Sequence, residues 1–135
     1  MDCQVTYFKE KDAFITKLEN SDEQLLKFYQ YNPVEQSSFI NRMNSSNNGR
    51  EQQLAQIIEA YMSDLDITAP QQSNLKALEN GAKVVIGGQQ AGIFGGPLYT
   101  FHKILSIVTL SNQLTEEHNK PVVPVFWIAG EDHDF

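Results

Sequence analysis

Cysteine is almost missing from this sequence: Cys3 is the single one in 135 residues. An intramolecular disulfide is therefore excluded, and so is a four-cysteine zinc site. Cys3 also has no activating neighbourhood in the sequence, which argues against a nucleophilic thiolate. Basic residues are few. Ten Lys and Arg against seventeen Asp and Glu leave a formal net charge of −7. A general nucleic-acid binder needs a basic face, so that class is set aside. Small anions stay open, because backbone N–H groups hold phosphate or carboxylate without net positive charge. No apolar run approaches the ~18 residues that span a bilayer. The opening "MDCQVTYFKEKDAF" has neither the basic start nor the apolar stretch of a secretory signal. H-E-x-x-H is absent, and no metal site is expected. The composition reads as a protein of a reducing cytoplasm, with no membrane and no nucleic-acid partner.

What is present divides the chain at about residue 82. Residues 1–82 read as a polar helical lead-in. "SDEQLLKFYQY" offers Ser21 as an N-cap, with Leu25, Leu26 and Phe28/Tyr29 along one face. "SSFINRMNSSNNGR" reads as a connector, with Phe39, Ile40 and Met43 hinting at a short helix before it. "REQQLAQIIEAYMSDLDI" places Leu54, Ile57, Ile58, Tyr61 and Leu65 at steps of three and four, one apolar stripe. In "TAPQQSNLKALENG", Thr68 and Gln71 have capping-box spacing, Pro70 suits the first turn and Gly81 the C′ position. Nothing in this half carries obvious chemistry, and packing helices are the expectation.

Residues 83–135 change character. "AKVVIGG" and "PVVPVFWIAG" are short apolar runs of the kind buried parallel strands show. Between them lie the glycine-dense "GGQQAGIFGGP" and the helical "LYTFHKILSIVTLSNQLTEEHNK", with Leu98, Phe101, Leu105 and Val108 expected on its packed side. Strand, loop, helix, strand is a βαβ unit, whose two strands run parallel. The fold class is α/β: N-terminal helices leading into the first βαβ unit of a Rossmann-like sheet, here incomplete. Ligands in such sheets bind at the carboxyl ends of the strands.

Both unusual segments fall at those ends. The glycine segment (Gly87, Gly88, Gly92, Gly95, Gly96) runs into a helix N-terminus, whose free N–H groups and dipole favour an anion. It matches neither G-x-G-x-x-G nor the P-loop, since Ile93 and Phe94 stand where Lys and Ser/Thr belong. A tight turn without a ligand is the plain alternative. Gln89 and Gln90 add side-chain amides. Tyr99, His102, Lys103 and Ser106 share one face at the start of the helix, able to hold phosphate or carboxylate or to trade protons, where an ordinary solvated face is the alternative. "GEDHD" sets Glu131, Asp132 and Asp134 around His133, a pattern that can tune a histidine to act as base. Its alternatives are a solvated loop and a water-mediated Mg²⁺ site.

"GGQQAGIFGGPLYTFHK" followed by "PVVPVFWIAGEDHDF" resembles the N-terminal part of the bacillithiol biosynthesis cysteine-adding enzyme family (BshC), from about Lys83 to Phe135. The resemblance implies a Rossmann-like nucleotidyltransferase-type core with inserted connecting domains, and a C-terminal coiled coil that makes a homodimer. It implies a ligase that joins L-cysteine to glucosaminyl malate through an amide bond, the last step of bacillithiol synthesis. ATP or another nucleotide is the activating agent it suggests. Carried onto this chain, Gly88, Gln89, Gln90, Gly92, Gly95, Gly96, Tyr99 and Lys103 would line the nucleotide or substrate site. Glu131, Asp132, His133 and Asp134, with His102, would be the catalytic set.

That family is several times longer than this chain. The expectation is therefore an N-terminal piece, inactive alone and prone to associate through an open strand edge. A nucleotide- or sugar-binding module without catalysis and a non-functional remnant are the competing readings.

Overall fold

A computed structural model describes residues 13–130. Cys3 and the acidic segment from Glu131 onward lie outside the described residues. The chain divides into two compact units between Ser45 and Ser46.

Among the described residues, the first unit holds three short helices, α1 (Ala13–Glu19), α2 (Glu23–Leu26) and α3 (Gln36–Asn44). The expected Ser21 cap is not the cap. Asp22 takes that place, its Oδ1 accepting from the backbone N–H groups of Gln24 and Leu25, both at 3.0 Å. Ser21 sits at φ 52°, and its hydroxyl accepts from Asn32 Nδ2 at 3.0 Å instead. A carboxylate is the stronger acceptor for two helix-end donors. Helix α2 stops after four residues, short of the expected run, and leaves Phe28 exposed. Phe39, Ile40 and Met43 do lie in a helix, α3.

The second unit carries α4 (Glu51–Tyr61), α5 (Ala69–Glu79), β1 (Lys83–Gln90), a 3₁₀ turn (Ile93–Gly95), α6 (Leu98–His118) and β2 (Val122–Ala129). Helix α5 begins as its sequence requires. The Thr68 N–H donates to Gln71 Oε1 at 2.8 Å, and Pro70 occupies the first turn. It ends at Gly81, whose φ of 89° only glycine adopts without strain. Asn47 secures that corner, its Nδ2 donating to the Gly81 carbonyl at 2.9 Å while its Oδ1 accepts from Lys83.

Strands β1 and β2 pair in parallel, from Lys83 opposite Val122 to Gln90 opposite Ala129. Helix α6 joins them and packs on both, α5 packs on β2, and α4 packs on α5. This is the βαβ unit of a Rossmann-like α/β domain. Helix α6 closes at Asn119 in the left-handed region, and the return to β2 is pinned by one hydroxyl. Thr115 Oγ1 donates to the Ser111 carbonyl at 2.8 Å and accepts from the Val122 N–H at 3.0 Å. The core is small: among the described residues, Ala55, Leu78, Ile107, Leu114, Val122 and Val123 are the buried apolar ones.

Two stripes read from periodicity are not the packed ones. On α6 the buried row is Thr100, Ile107, Ser111 and Leu114, while Leu98, Phe101, Leu105 and Val108 are exposed. Gly87 decides this, because its missing side chain leaves the place on the sheet that Ile107 fills. On α4, Ala55 is buried, whereas Leu54, Ile57, Tyr61 and Leu65 are exposed. Nor is the sheet buried on both faces. Val84, Ile86 and Trp127 are exposed on the face opposite Gly87 and α6. Among the described residues, no helix is long and apolar enough to cross a membrane.

Candidate functional site

The glycine segment divides into strand and turn. Gly87 and Gly88, which end the expected strand run, and Gln89 and Gln90, read from sequence as loop, complete β1. Two glycines so close in a strand weaken it in isolation, but each fits a close approach. A Cβ on Gly87 would strike Ile107, and one on Gly88 would lie 2.9 Å from the Trp127 carbonyl oxygen. The turn proper covers 91–97. Gly92 packs on Gly96 so tightly that a Cβ on it would come within 2.6 Å of the Gly96 Cα. Gly96 itself has φ 80° and ψ −167°, a region that is essentially glycine's alone. Phe94 takes the left-handed conformation without being glycine, at φ 54°, and is 99% exposed.

The turn delivers the chain to α6, with Pro97 at its N-cap. The first N–H groups of a 21-residue helix thus open beside the glycine turn. Thr100 is a residue sequence reasoning missed. It is 7% exposed, its Oγ1 has no hydrogen-bond partner among the described residues, and it would lie 3.2 Å from a Cβ on Gly96. The available signal was weak: a threonine in the first turn after a glycine pair.

Of the residues expected on the near face of α6, the fold gathers two with the end of β1. Lys103 Nζ donates to the Gly88 carbonyl at 3.0 Å and to Gln89 Oε1 at 3.1 Å. The same ammonium stands 4.9 Å from the centre of the Tyr99 ring. His102 is exposed and is not drawn into this cluster; the Ser106 hydroxyl donates to its backbone carbonyl at 2.8 Å. Glu131, Asp132, His133 and Asp134 lie outside the described residues, but β2 reaches Ala129 directly opposite Gln90. The two strands therefore end level, on one edge, with the glycine turn leaving from β1. A polar anion would find helix N–H groups, glycine backbone, an amide side chain and a cation at that edge.

The whole chain, residues 1–135, matches the family model described as bacillithiol biosynthesis BshC, N-terminal Rossmann-like domain. Among similar proteins, one from Staphylococcus haemolyticus is 72% identical over all 135 residues, one from Staphylococcus carnosus 62% and one from Staphylococcus aureus strain Newman 59%. Each is named "Putative cysteine ligase BshC". The match covers 100% of this chain and 25% of each relative, so the chain spans a quarter of the length of the curated relatives it matches.

Proposed function

Because this chain belongs to the bacillithiol biosynthesis BshC family, through its N-terminal Rossmann-like domain, we propose that it supplies one side of the active site of a cytoplasmic cysteine-adding ligase. The reaction joins the carboxyl carbon of L-cysteine to the amine of glucosaminyl malate through an amide bond. The cysteine carboxylate must first be activated, and a nucleotide such as ATP is the agent suited to it. The glucosaminyl amine then attacks the activated carbonyl carbon. A C–N bond forms, the bond to the activating group breaks, and the amine gives up a proton.

In this reading Gly92, Gly95, Gly96 and the start of α6 hold the anionic part of a substrate or nucleotide. Gly88, Gln89, Gln90, Tyr99 and Lys103 line the same side. Glu131, Asp132, His133 and Asp134 follow β2 in the sequence and are assigned the catalytic roles, with His133 taking the amine proton. His102 is the alternative proton carrier. The full-length protein works as a homodimer. The observation that carries the proposal is the level ending of the strands, Gln90 opposite Ala129. It starts the acidic segment from the same sheet edge as the glycine turn.

The test is product analysis by mass spectrometry on the full-length protein carrying this domain. L-cysteine and glucosaminyl malate are supplied with and without ATP. Formation of the amide supports the proposal. Binding of both compounds with no amide under any nucleotide would reduce the domain to a binding module.

A further inference from the structure

The contact between Lys103 and Gln89 ties α6 to the end of β1. We propose that Lys103 is a positioning residue, which holds the Gln89 amide by its oxygen and so presents the Gln89 NH₂ group to a carboxylate or phosphoryl oxygen of the ligand. This rests on the ligand site proposed above and adds the chemical sense of one of its walls.

An ammonium has three donors and no acceptor, so only the oxygen of Gln89 can face it. The observed contact, Nζ to Oε1 at 3.1 Å, has that sense. The lysine is itself held in place by the Gly88 carbonyl at 3.0 Å and by the Tyr99 ring at 4.9 Å. With those partners its ammonium is occupied by protein, which suits a group that acts through a neighbour. The cluster is half-buried, where charge–dipole contacts are screened less than on an open surface.

Once Oε1 is held, Nε2 points elsewhere. Among the described residues it has no acceptor. Gln89 is the penultimate residue of β1, at the carboxyl edge where the glycine turn departs. Polarisation of the amide by the ammonium also makes its N–H groups better donors. Without the lysine, the amide could turn over and offer its oxygen, which repels an anion. The pair therefore selects acceptor-rich ligands. Glutamate at the same position would keep the lysine contact, as an ion pair, but would offer no donor.

That difference supplies the test. Calorimetric binding of glucosaminyl malate is measured on the full-length protein and on Gln89→Glu, Lys103→Met and Lys103→Arg. Gln89→Glu is expected to keep the thermal midpoint and to lose affinity by about tenfold or more, the consequence of removing a donor to a charged acceptor. Lys103→Met is expected to lose a similar factor, and Lys103→Arg, still a pure donor, to recover most of it. In a Gln89→Met background, Lys103→Met is expected to cost nothing further. Unchanged affinity in Gln89→Glu overturns the proposal and leaves the pair as a clamp on β1. Equal, additive losses from Lys103→Met in both backgrounds also overturn it, because the lysine would then touch the ligand itself. Should Gln89→Glu lower the midpoint, Gln89→Met carries the same expectation and the same refutation. Failure of the parent protein to bind glucosaminyl malate removes the site proposal together with this one, an outcome distinct from either of the others.

Discussion

Gly87 of β1 and Ile107 of α6 fit together so closely that a single added carbon on the glycine would overlap the Ile107 Cδ1. This contact sets how near the crossover helix lies to the sheet. It brings Lys103, one turn earlier on α6, down to the end of β1.

Gly87→Ala is expected to destabilise the domain by about 1–3 kcal/mol, the usual cost of overpacking. The clashing atom is the end of a side chain, so removing it should help. Gly87→Ala combined with Ile107→Val is expected to cost less than the sum of the two single changes. Urea unfolding of the four proteins measures the difference, and strict additivity would mean that the residues do not press on each other. Gly88→Ala should cost more than Gly87→Ala, because its new Cβ meets the Trp127 backbone rather than a movable side-chain end.

Thr115 ties the end of α6 to the start of β2 with one hydroxyl. Thr115→Val keeps the shape but leaves the N–H of buried Val122 without its acceptor. A loss of about 1–3 kcal/mol is expected, with Thr115→Ser close to the parent. Thermal or urea unfolding reads both, and a parent-like Thr115→Val would show that water replaces the hydroxyl.

Gly96→Ala forces a side chain into backbone angles that L residues avoid, and crowds Thr100 Oγ1. About 1–3 kcal/mol of strain is expected. In the full-length protein a larger drop in ligand affinity than in stability is expected, because the glycine turn would reshape at the proposed anion site. Calorimetry beside unfolding separates the two, and parent-like affinity in a folded variant would place the ligand elsewhere.

The 135-residue chain on its own leaves Val84, Ile86 and Trp127 exposed on one sheet face. It is expected to self-associate and to form no amide. Sedimentation velocity that shows a monomer at micromolar concentration, together with turnover, would contradict both expectations.

The βαβ unit was legible because hydrophobic period changes between segments, and because glycine and proline punctuate them. The capping box at Thr68 and Gln71 was legible for a similar reason: its parts are three residues apart. Packing faces were less so. Periodicity groups Leu98, Phe101 and Leu105, but which row meets the sheet depends on Gly87, ten or more residues away. Asp22, not Ser21, caps α2, and the Ser21 hydroxyl is engaged by Asn32, a partner that local sequence does not reveal. In the candidate site, the kinds of residue could be named from sequence. That Lys103 is engaged by Gly88 and Gln89, that His102 stands apart, and that Thr100 is buried with no hydroxyl partner among the described residues are matters of tertiary geometry.

His133, which follows β2 in the sequence, is proposed as the general base of the reaction assigned to the sheet edge where Gln90 and Ala129 finish. The most direct measurement is turnover and glucosaminyl malate affinity of His133→Ala in the full-length protein. A general base predicts a fall in kcat of about 10²–10⁴-fold with Kd nearly unchanged. Turnover equal to that of the parent, or a loss of binding that accounts for all the lost turnover, would contradict it.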